Sequence, residues 1–206
     1  MPHPLKRPIC SRCLRPQQSC ICRWITPIAH ATEVLILQHP LEEKHAKGSA
    51  RLLHLSLPNS RLLVGEVFDE QALAALLHAS GKRPVLLYPD TPDDADIAPA
   101  TPIDIAGLEP GGWRLVVLDG TWRKSRKMLY ANPSLQALPR FALRAAPASQ
   151  YRIRKARGAQ QLATLEATCY ALMQLEGNDA RYAPLLDAFN GFVAQQLSYR
   201  QAAATR

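Results

Sequence analysis

The sequence predicts an α/β fold in which a parallel sheet is flanked by helices. Short, continuous apolar runs alternate along the chain with stretches of helical periodicity, a pattern typical of βαβ units. Apolar runs without internal alternation predict strands that are covered on both faces. The length of 206 residues and the 47% hydrophobic composition suit one globular domain with a small appendage. We therefore expect a segment at residues 1–24 and a main domain at residues 25–206.

The elements follow from the local patterns in chain order. Apolar runs predict four strands, at residues 34–37, 62–64, 85–88 and 115–118. Helices are predicted at residues 49–57 and after Asp69, a capping residue, as far as Gly81. The fourth run ends in Asp119 and Gly120 and leads into a cationic helix that extends to about Tyr130. In the last third, the pattern predicts a short strand at residues 140–143 and a basic loop at residues 144–160. It then predicts a helix at residues 161–175 and a final helix at residues 183–197.

Several protein classes are excluded by what the sequence lacks. No window approaches 18 uncharged apolar residues, and the first ten residues lack the apolar core of a secretory signal. We expect neither a membrane span nor secretion, and a cytoplasmic protein. The sequence also contains neither a Walker loop nor a GxGxxG loop, which disfavours nucleoside triphosphates and nicotinamide cofactors as ligands.

Four of the five cysteines lie close together near the N-terminus. Their spacing is Cys-x2-Cys-x6-Cys-x-Cys, and four thiolates at tetrahedral positions form the usual structural zinc site. An iron–sulfur cluster also takes four cysteines but usually with other spacings. A segment so rich in proline and arginine buries little, so we expect a metal to stabilise its fold. The predicted zinc ligands are Cys10, Cys13, Cys20 and Cys22; Cys169 is predicted to lie in the core.

Charge is strongly segregated along the chain. Residues 1–24 carry five basic residues and no acidic one, and residues 121–160 carry ten basic residues and no acidic one. Residues 86–110 carry six acidic residues and no basic one, which predicts a solvated acidic loop. With a net charge of +8, the basic stretches indicate either a solvated face or, as we favour, a nucleic-acid surface. The predicted nucleic-acid-binding residues are Trp122, which can stack on a base, and Arg123, Lys124, Arg126, Lys127, Arg154 and Lys155.

Three side chains are candidates for catalysis. Asp119 follows a predicted strand at the end of the sheet where ligands bind, and Gly120 beside it permits close approach of a ligand. Glu166 lies at the edge of the buried stripe of its predicted helix, so it needs a fixed partner or a ligand. His39 follows the first strand in the corresponding place, where a hydrogen-bonded structural role is the alternative.

Five motifs in succession resemble the DTW-domain family over nearly the whole chain. They are the cysteine cluster, Gln38-His39-Pro40-x-Glu42, Asp119-Gly120-Thr121-Trp122, residues 149–155 (SQYRIRK) and residues 163–167 (ATLEA). Each motif is short, but five in order are highly specific. The chain departs from the family pattern at Ala163, where serine is common, and at residues 47–49, where we expect a stretch that contains threonine.

The resemblance implies an activity and a more specific fold. The family is similar to SPOUT-like α/β proteins with a C-terminal knot, and it is associated with transfer of the 3-amino-3-carboxypropyl group from S-adenosylmethionine to a tRNA uridine. The product would be 3-(3-amino-3-carboxypropyl)uridine, with 5′-methylthioadenosine as the leaving group. A SAM-dependent RNA methyltransferase and a non-catalytic zinc-bearing RNA-binding module are the alternatives.

In such a fold, the ends of the strands should converge on one donor pocket. The predicted donor contacts are Tyr88, Pro89, Asp119, Gly120, Ser149, Tyr151, Arg152 and Ile153. Asp119 would act either as a general base toward uridine N3 or as the group that holds the ammonium of the donor. Glu166 is the second candidate for the base.

Overall fold

A single parallel sheet organises the computed structural model, which describes residues 8–91, 94, 97, 99, 101, 103, 109–144, 147, 149 and 162–204. The strands are β1 (Glu33–Gln38), β2 (Ser60–Val64), β3 (Arg83–Leu87), β4 (Trp113–Asp119) and β5 (Arg140–Phe141). Their order in the sheet is β2-β1-β4-β3-β5, and every pairing is parallel. The parallel α/β sheet predicted from the apolar runs is confirmed.

The helices begin and end at recognisable signals. They are α1 (Pro40–Glu43), α2 (Ala50–Ser56), α3 (Glu70–Leu77), α4 (Trp122–Ala131), α5 (Pro133–Gln136), α6 (Thr164–Glu176) and α7 (Asp179–Ala204). As predicted, the Asp69 side chain caps α3 by accepting from the backbone N–H of Ala72. The Thr121 hydroxyl accepts from the N–H of Lys124 at the start of α4. Gly177, with φ of 60°, ends α6 in the left-handed conformation.

The last helix is longer than its apolar pattern predicts. It begins at Asp179 instead of residue 183 and extends to Ala204. The first turn is stabilised by Asn178, whose side-chain oxygen accepts from the N–H of Arg181. Asparagine is a strong N-cap residue, and the cap lets the helix start one turn before Pro184.

Alternate residues of the central strands point to two separate cores. Val34, Ile36, Leu115 and Val117 pack with the apolar residues of α2, α6 and α7. Their neighbours in sequence face the other side, where they pack with α3, α4 and α5. Continuous apolar runs therefore arise because helices cover both faces of the strands at the centre of the sheet.

The strand β2 is an exception to this rule. It lies at the edge of the sheet, and Leu63 and Val64 are 37% and 40% exposed. The prediction that this run is covered on both faces is wrong. An edge strand has a neighbour on one side only, and the helices of this fold lie over the central strands.

The N-terminal segment packs against α7. Gly191 makes room for the indole of Trp24, since a Cβ at that position would lie 2.1 Å from the ring. The Trp24 Nε1–H donates to the Gln195 side chain, and Gln195 Nε2 donates to the Cys20 carbonyl at 3.2 Å. Cys169 is fully buried in the core below, as predicted.

Within the residues that the structure describes, no helix combines the length and the apolar character needed to cross a membrane.

Candidate active site

Two central strands end side by side at a point where the chain diverges. Gln38, the last residue of β1, is the register partner of Asp119, the last residue of β4. The chain after β1 leads to α2 on one face of the sheet, whereas β4 leads directly into α4 on the other face. In open α/β sheets, the crevice beyond such a switch point is where ligands bind.

A cavity of about 650 Å³ opens at this point, which is within the range of about 300–1000 Å³ that is usual for small-molecule sites. Seven of the predicted site residues line it together: Tyr88, Pro89, Asp119, Gly120, Trp122, Arg123 and Lys124. The other described residues along its wall are Lys47, Gly48, Ser49, Leu87, Val117, Leu118, Thr121, Ser125, Leu162, Ala163, Thr164 and Ala167.

Hydrogen bonds fix the Asp119 carboxylate in the cavity wall, where only 5% of the residue is exposed. Gln38 Nε2 donates to Oδ2 at 2.8 Å, and Thr164 Oγ1 donates to Oδ1 at 2.7 Å. Hydrogen bonds to both oxygens stabilise the ionised form of a carboxylate. The Asp119 carboxylate is therefore held in one orientation in the cavity wall, where a cationic group on a ligand could approach it.

Gly120 allows the chain to turn sharply from β4 into α4. A Cβ there would lie 3.1 Å from the Cβ of Lys124 and 3.5 Å from the N–H nitrogen of Ser125. The close approach keeps Asp119 next to the first turn of α4, so that both elements contribute to the cavity.

Glu166 is buried beside the cavity, where it supports the start of α6. Its Oε2 accepts from the N–H of Ala163 at 2.8 Å and from the hydroxyl of Ser149 at 2.6 Å. This contact is half of a capping box; the other half needs a side-chain acceptor at the N-cap, which Ala163 lacks. Glu166 is not among the described residues that line the cavity, and the structure gives it the fixed partners that a buried carboxylate needs.

His39 also has structural contacts at both ring nitrogens. Its Nδ1 accepts from the N–H of Leu41 at 3.1 Å, which assigns the proton to Nε2, and that nitrogen lies 2.7 Å from Glu66 Oε2. Lys127 and His39 together lower the pKa of Glu66. The backbone N–H of His39 donates to the Asp119 carbonyl at 2.9 Å, but His39 is not among the described residues that line the cavity.

Two aromatic rings form part of the cavity wall. The rings of Tyr88 and Trp122 meet edge to face with centroids 5.8 Å apart. The Arg140 guanidinium lies 5.8 Å from the Tyr88 centroid. Trp122 lines the cavity and is 51% exposed.

The cations of α4 are mostly paired with carboxylates of the chain itself. Arg126 makes a two-pronged contact with Asp94 at 2.7 and 2.8 Å. The Lys127 ammonium lies 2.7 Å from Glu66, and that of Lys124 lies 2.9 Å from the buried Glu42. At Asp94, the prediction of a solvated acidic loop is wrong, because this carboxylate pairs with the basic helix. Across the described residues, Arg123 of the same helix forms no ion pair.

Some predicted contacts lie outside the described residues. These are Tyr151, Arg152 and Ile153, which are predicted to contact the donor, and Arg154 and Lys155, which are predicted to bind nucleic acid.

Sequence reasoning missed two parts of the cavity wall. Residues 47–49 were noted only as a departure from the family pattern, although they follow the first strand of the sheet. Thr164 holds Asp119, and its only signal was its place between Ala163 and Glu166 in the ATLEA motif.

The four N-terminal cysteines form a compact cluster away from the cavity. Their sulfurs all lie within 4.8 Å of one another; the Cys10–Cys22 and Cys13–Cys20 distances are 3.6 and 3.7 Å. Tetrahedral zinc with sulfur ligands at about 2.3 Å requires sulfurs about 3.8 Å apart, so the cluster fits the ion. Backbone N–H groups of Cys13 and Arg12 lower the pKa of Cys10 to about 6, whereas burial raises the pKa of Cys22 to about 12. A bound cation would displace the remaining protons.

These features define a class: an α/β domain with a cleft at the switch point of its sheet and a separate four-cysteine segment. The DTW domain model matches residues 7–197. The chain therefore belongs to the DTW domain family, and the resemblance seen in the five motifs is confirmed.

Curated relatives are similar to this chain over most of its length. The chain is 31% identical to tRNA-uridine aminocarboxypropyltransferase 2 of Mus musculus over 206 residues, covering 96% of this chain and 66% of the mouse protein. It is 32% identical to the Drosophila melanogaster protein of the same name over 179 residues, covering 84% of this chain and 68% of the fly protein. Against tRNA-uridine aminocarboxypropyltransferase A of Arabidopsis thaliana, the identity is 28% over 137 residues, covering 62% of this chain and 52% of the plant protein.

The chain thus spans about two thirds of the length of the mouse protein. No solved structure matches it.

Proposed function

We propose that this chain transfers the 3-amino-3-carboxypropyl group of S-adenosylmethionine to N3 of a tRNA uridine, with release of 5′-methylthioadenosine. Membership of the DTW family and the names of the relatives support this reaction. The observation that carries the proposal is the Asp119 carboxylate, held by Gln38 and Thr164 in a cavity of suitable size.

The reaction needs orientation and charge more than a reactive side chain. The bond from uridine N3 to the transferred carbon forms as the carbon–sulfur bond breaks. The electron pair of the broken bond stays on sulfur and neutralises the sulfonium. The N3 proton leaves to Asp119 or to water. Selection of this carbon over the methyl group then depends on how the cavity orients the donor.

Asp119 has two possible roles in this scheme. Because both of its oxygens already accept hydrogen bonds, the carboxylate is fixed in orientation and suited to contact a bound group. We therefore propose that it holds the ammonium group of the donor. Tyr88, Pro89, Gly120, Ser149 and residues 151–153 would complete the donor site.

The tRNA would approach from the exposed side of α4. Trp122 is half exposed at the cavity, where its ring can stack on the uridine. Arg123, also exposed and along the cavity wall, is placed to contact a phosphate next to that uridine.

Three further parts of the proposal concern architecture and location. Residues 1–24 would form a zinc-stabilised segment and residues 25–206 the catalytic domain. A SPOUT-like knot would lie in the C-terminal part of that domain. The cytoplasm, where thiols stay reduced, would suit the cysteine cluster.

The decisive experiment is mass spectrometry of nucleosides from tRNA that has been incubated with the pure protein and S-adenosylmethionine. We expect a uridine carrying an aminocarboxypropyl group and an equal amount of 5′-methylthioadenosine. Accumulation of S-adenosylhomocysteine would instead identify a methyltransferase. A protein that binds tRNA through Trp122 but forms no product, and is unaffected by Asp119→Asn, would be an RNA-binding module.

A further inference from the structure

The Arg15 side chain of the cysteine segment contacts the cavity wall. Its guanidinium donates to the carbonyl of Gly48 at 2.8 Å and to the carbonyl of Ala46. These two carbonyls flank Lys47, and Lys47 and Gly48 both line the cavity. One guanidinium thus holds a turn of the wall at two points.

Arg15 is itself fixed by the cysteine cluster and by α7. Its backbone carbonyl accepts from the N–H of Cys10 at 2.8 Å, inside the turn that presents the first pair of sulfurs. Its guanidinium also lies 5.2 Å from the centroid of the Phe192 ring, a cation–π distance. The orientation of the guanidinium therefore depends on the fold of the cysteine segment.

The supported turn leads on to the residues that hold Asp119. Ser49, the next residue in the wall, accepts from the N–H of Leu165 through its hydroxyl at 3.3 Å. Leu165 is in the first turn of α6, beside Thr164, which donates to Asp119. Contacts thus run without a break from the cluster to the charged group of the cavity.

We propose that Arg15 is a positioning residue that couples the fold of the cysteine segment to the shape of the donor cavity. None of the four cysteines is among the described residues that line the cavity, yet an intact cluster would strengthen donor binding through Arg15. The part of the proposal that concerns the donor rests on the proposed function, whereas the support of residues 46–49 does not.

The test compares Arg15→Ala with Arg12→Ala. Arg12 is an exposed cation of the same segment, so its removal changes the charge equally without releasing the turn. We expect Arg15→Ala to raise the dissociation constant of S-adenosylmethionine about tenfold in calorimetry, a usual size for coupling between sites. We also expect faster hydrogen exchange at the amides of residues 46–49 in the ligand-free protein. Zinc content should stay that of the wild type, and Arg12→Ala should change none of these.

A second variant keeps the proposal testable if Arg15→Ala does not fold. Arg15→Lys keeps the charge but cannot bridge two carbonyls as a planar guanidinium does, so it should give intermediate exchange and affinity. If hydrogen exchange at residues 46–49 and the affinity for S-adenosylmethionine equal the wild-type values in both Arg15 variants, the proposal is overturned. A loss of zinc from these variants that accounts for the whole effect would also overturn it. A wild-type protein that binds no S-adenosylmethionine would defeat the proposed donor, while the exchange comparison would still decide the role of Arg15.

Discussion

The cysteine cluster and the Asp119 cavity bring polar groups together in opposite ways. The cluster takes all four sulfurs from 13 consecutive residues. The Asp119 site takes its hydrogen-bonding groups from Gln38, Asp119 and Thr164, on three separate elements of the chain. The sulfurs face one another within 4.8 Å, whereas Asp119 borders a cavity of about 650 Å³.

The difference separates a closed cluster from a site that is open to a ligand. Four ligands that already surround one point leave no open position for a substrate, as in structural zinc sites. A fixed carboxylate beside a cavity leaves space for a ligand and supplies a charge to orient it. The contacts of Arg15 show that the two sites are nevertheless linked.

The largest effect should come from breaking the cluster. We expect Cys20→Ser to lower zinc from about one ion per chain to well below that and to destabilise the segment packed on α7, because metal binding supplies folding energy on the order of 10 kcal/mol in small zinc units. Elemental analysis and thermal unfolding measure both changes. Cys169→Ala is the control for zinc content, which it should leave unchanged, since this cysteine lies in the core outside the cluster. Zinc-free wild-type protein with a normal fold would rule out the zinc site.

The next effect should come from replacing the Asp119 carboxylate with a neutral amide. If Asp119 holds an ammonium, Asp119→Asn should weaken S-adenosylmethionine binding by roughly 10- to 150-fold, the usual value of a charged hydrogen bond. If it is a general base, the single-turnover rate should instead fall roughly 10²- to 10⁴-fold with donor affinity preserved. Calorimetry and rapid-quench kinetics distinguish these results.

The control for that variant is Asp69→Asn. Asp69 caps α3, and asparagine caps a helix about as well as aspartate, so binding and turnover should stay at wild-type values. If Asp119→Asn behaves in the same way, Asp119 has neither role and Glu166 is the next carboxylate to test.

A smaller effect should distinguish free from paired cations on α4. We expect Arg123→Ala to weaken tRNA binding and to reduce the slope of its salt dependence by about one, as for a lost phosphate contact. Lys127→Ala should change the slope less, because its ammonium is already held by Glu66. Salt titrations of both variants measure the difference. Equal slopes would mean that the internal ion pairs open when tRNA binds.

The smallest effect should come from completing the cap of α6. Ala163→Ser would add the missing acceptor of the capping box, and we expect a gain of about 1 kcal/mol in the free energy of unfolding. Denaturant unfolding measures it. Ala167→Ser makes the same substitution inside the helix, where no free N–H needs a partner, and it should not stabilise the protein. If Ala167→Ser raises the free energy of unfolding as much as Ala163→Ser does, the gain at residue 163 does not come from capping α6.

Local patterns predicted most of the sheet and the cysteine cluster. Apolar runs identified β1, β3 and β4 because strands covered on both faces must be apolar at every position. The same pattern misled at β2, where the edge position leaves Leu63 and Val64 exposed. A run of apolar residues carries no information on the place of its strand in the sheet.

The partners of the charged residues could not be predicted in this way. The basic stretch of α4 looked unopposed in sequence, yet Glu42, Glu66 and Asp94 come from three distant segments to pair with it. His39 and Glu166 were candidates because of their places after a strand and on a helix, and the structure shows which groups occupy their polar atoms.

The sequence by itself determined most of the strands and helices, the cluster of four cysteines and the position of Asp119 at the end of a strand. Each of these depends on interactions within a few residues, such as burial pattern, capping and ligand spacing. Only the tertiary structure decided that Gln38 and Thr164 hold Asp119, that α4 is largely neutralised and that Arg15 reaches the cavity wall. Those contacts join residues far apart in the chain, because parallel strands and their crossovers bring distant segments to one edge of the sheet.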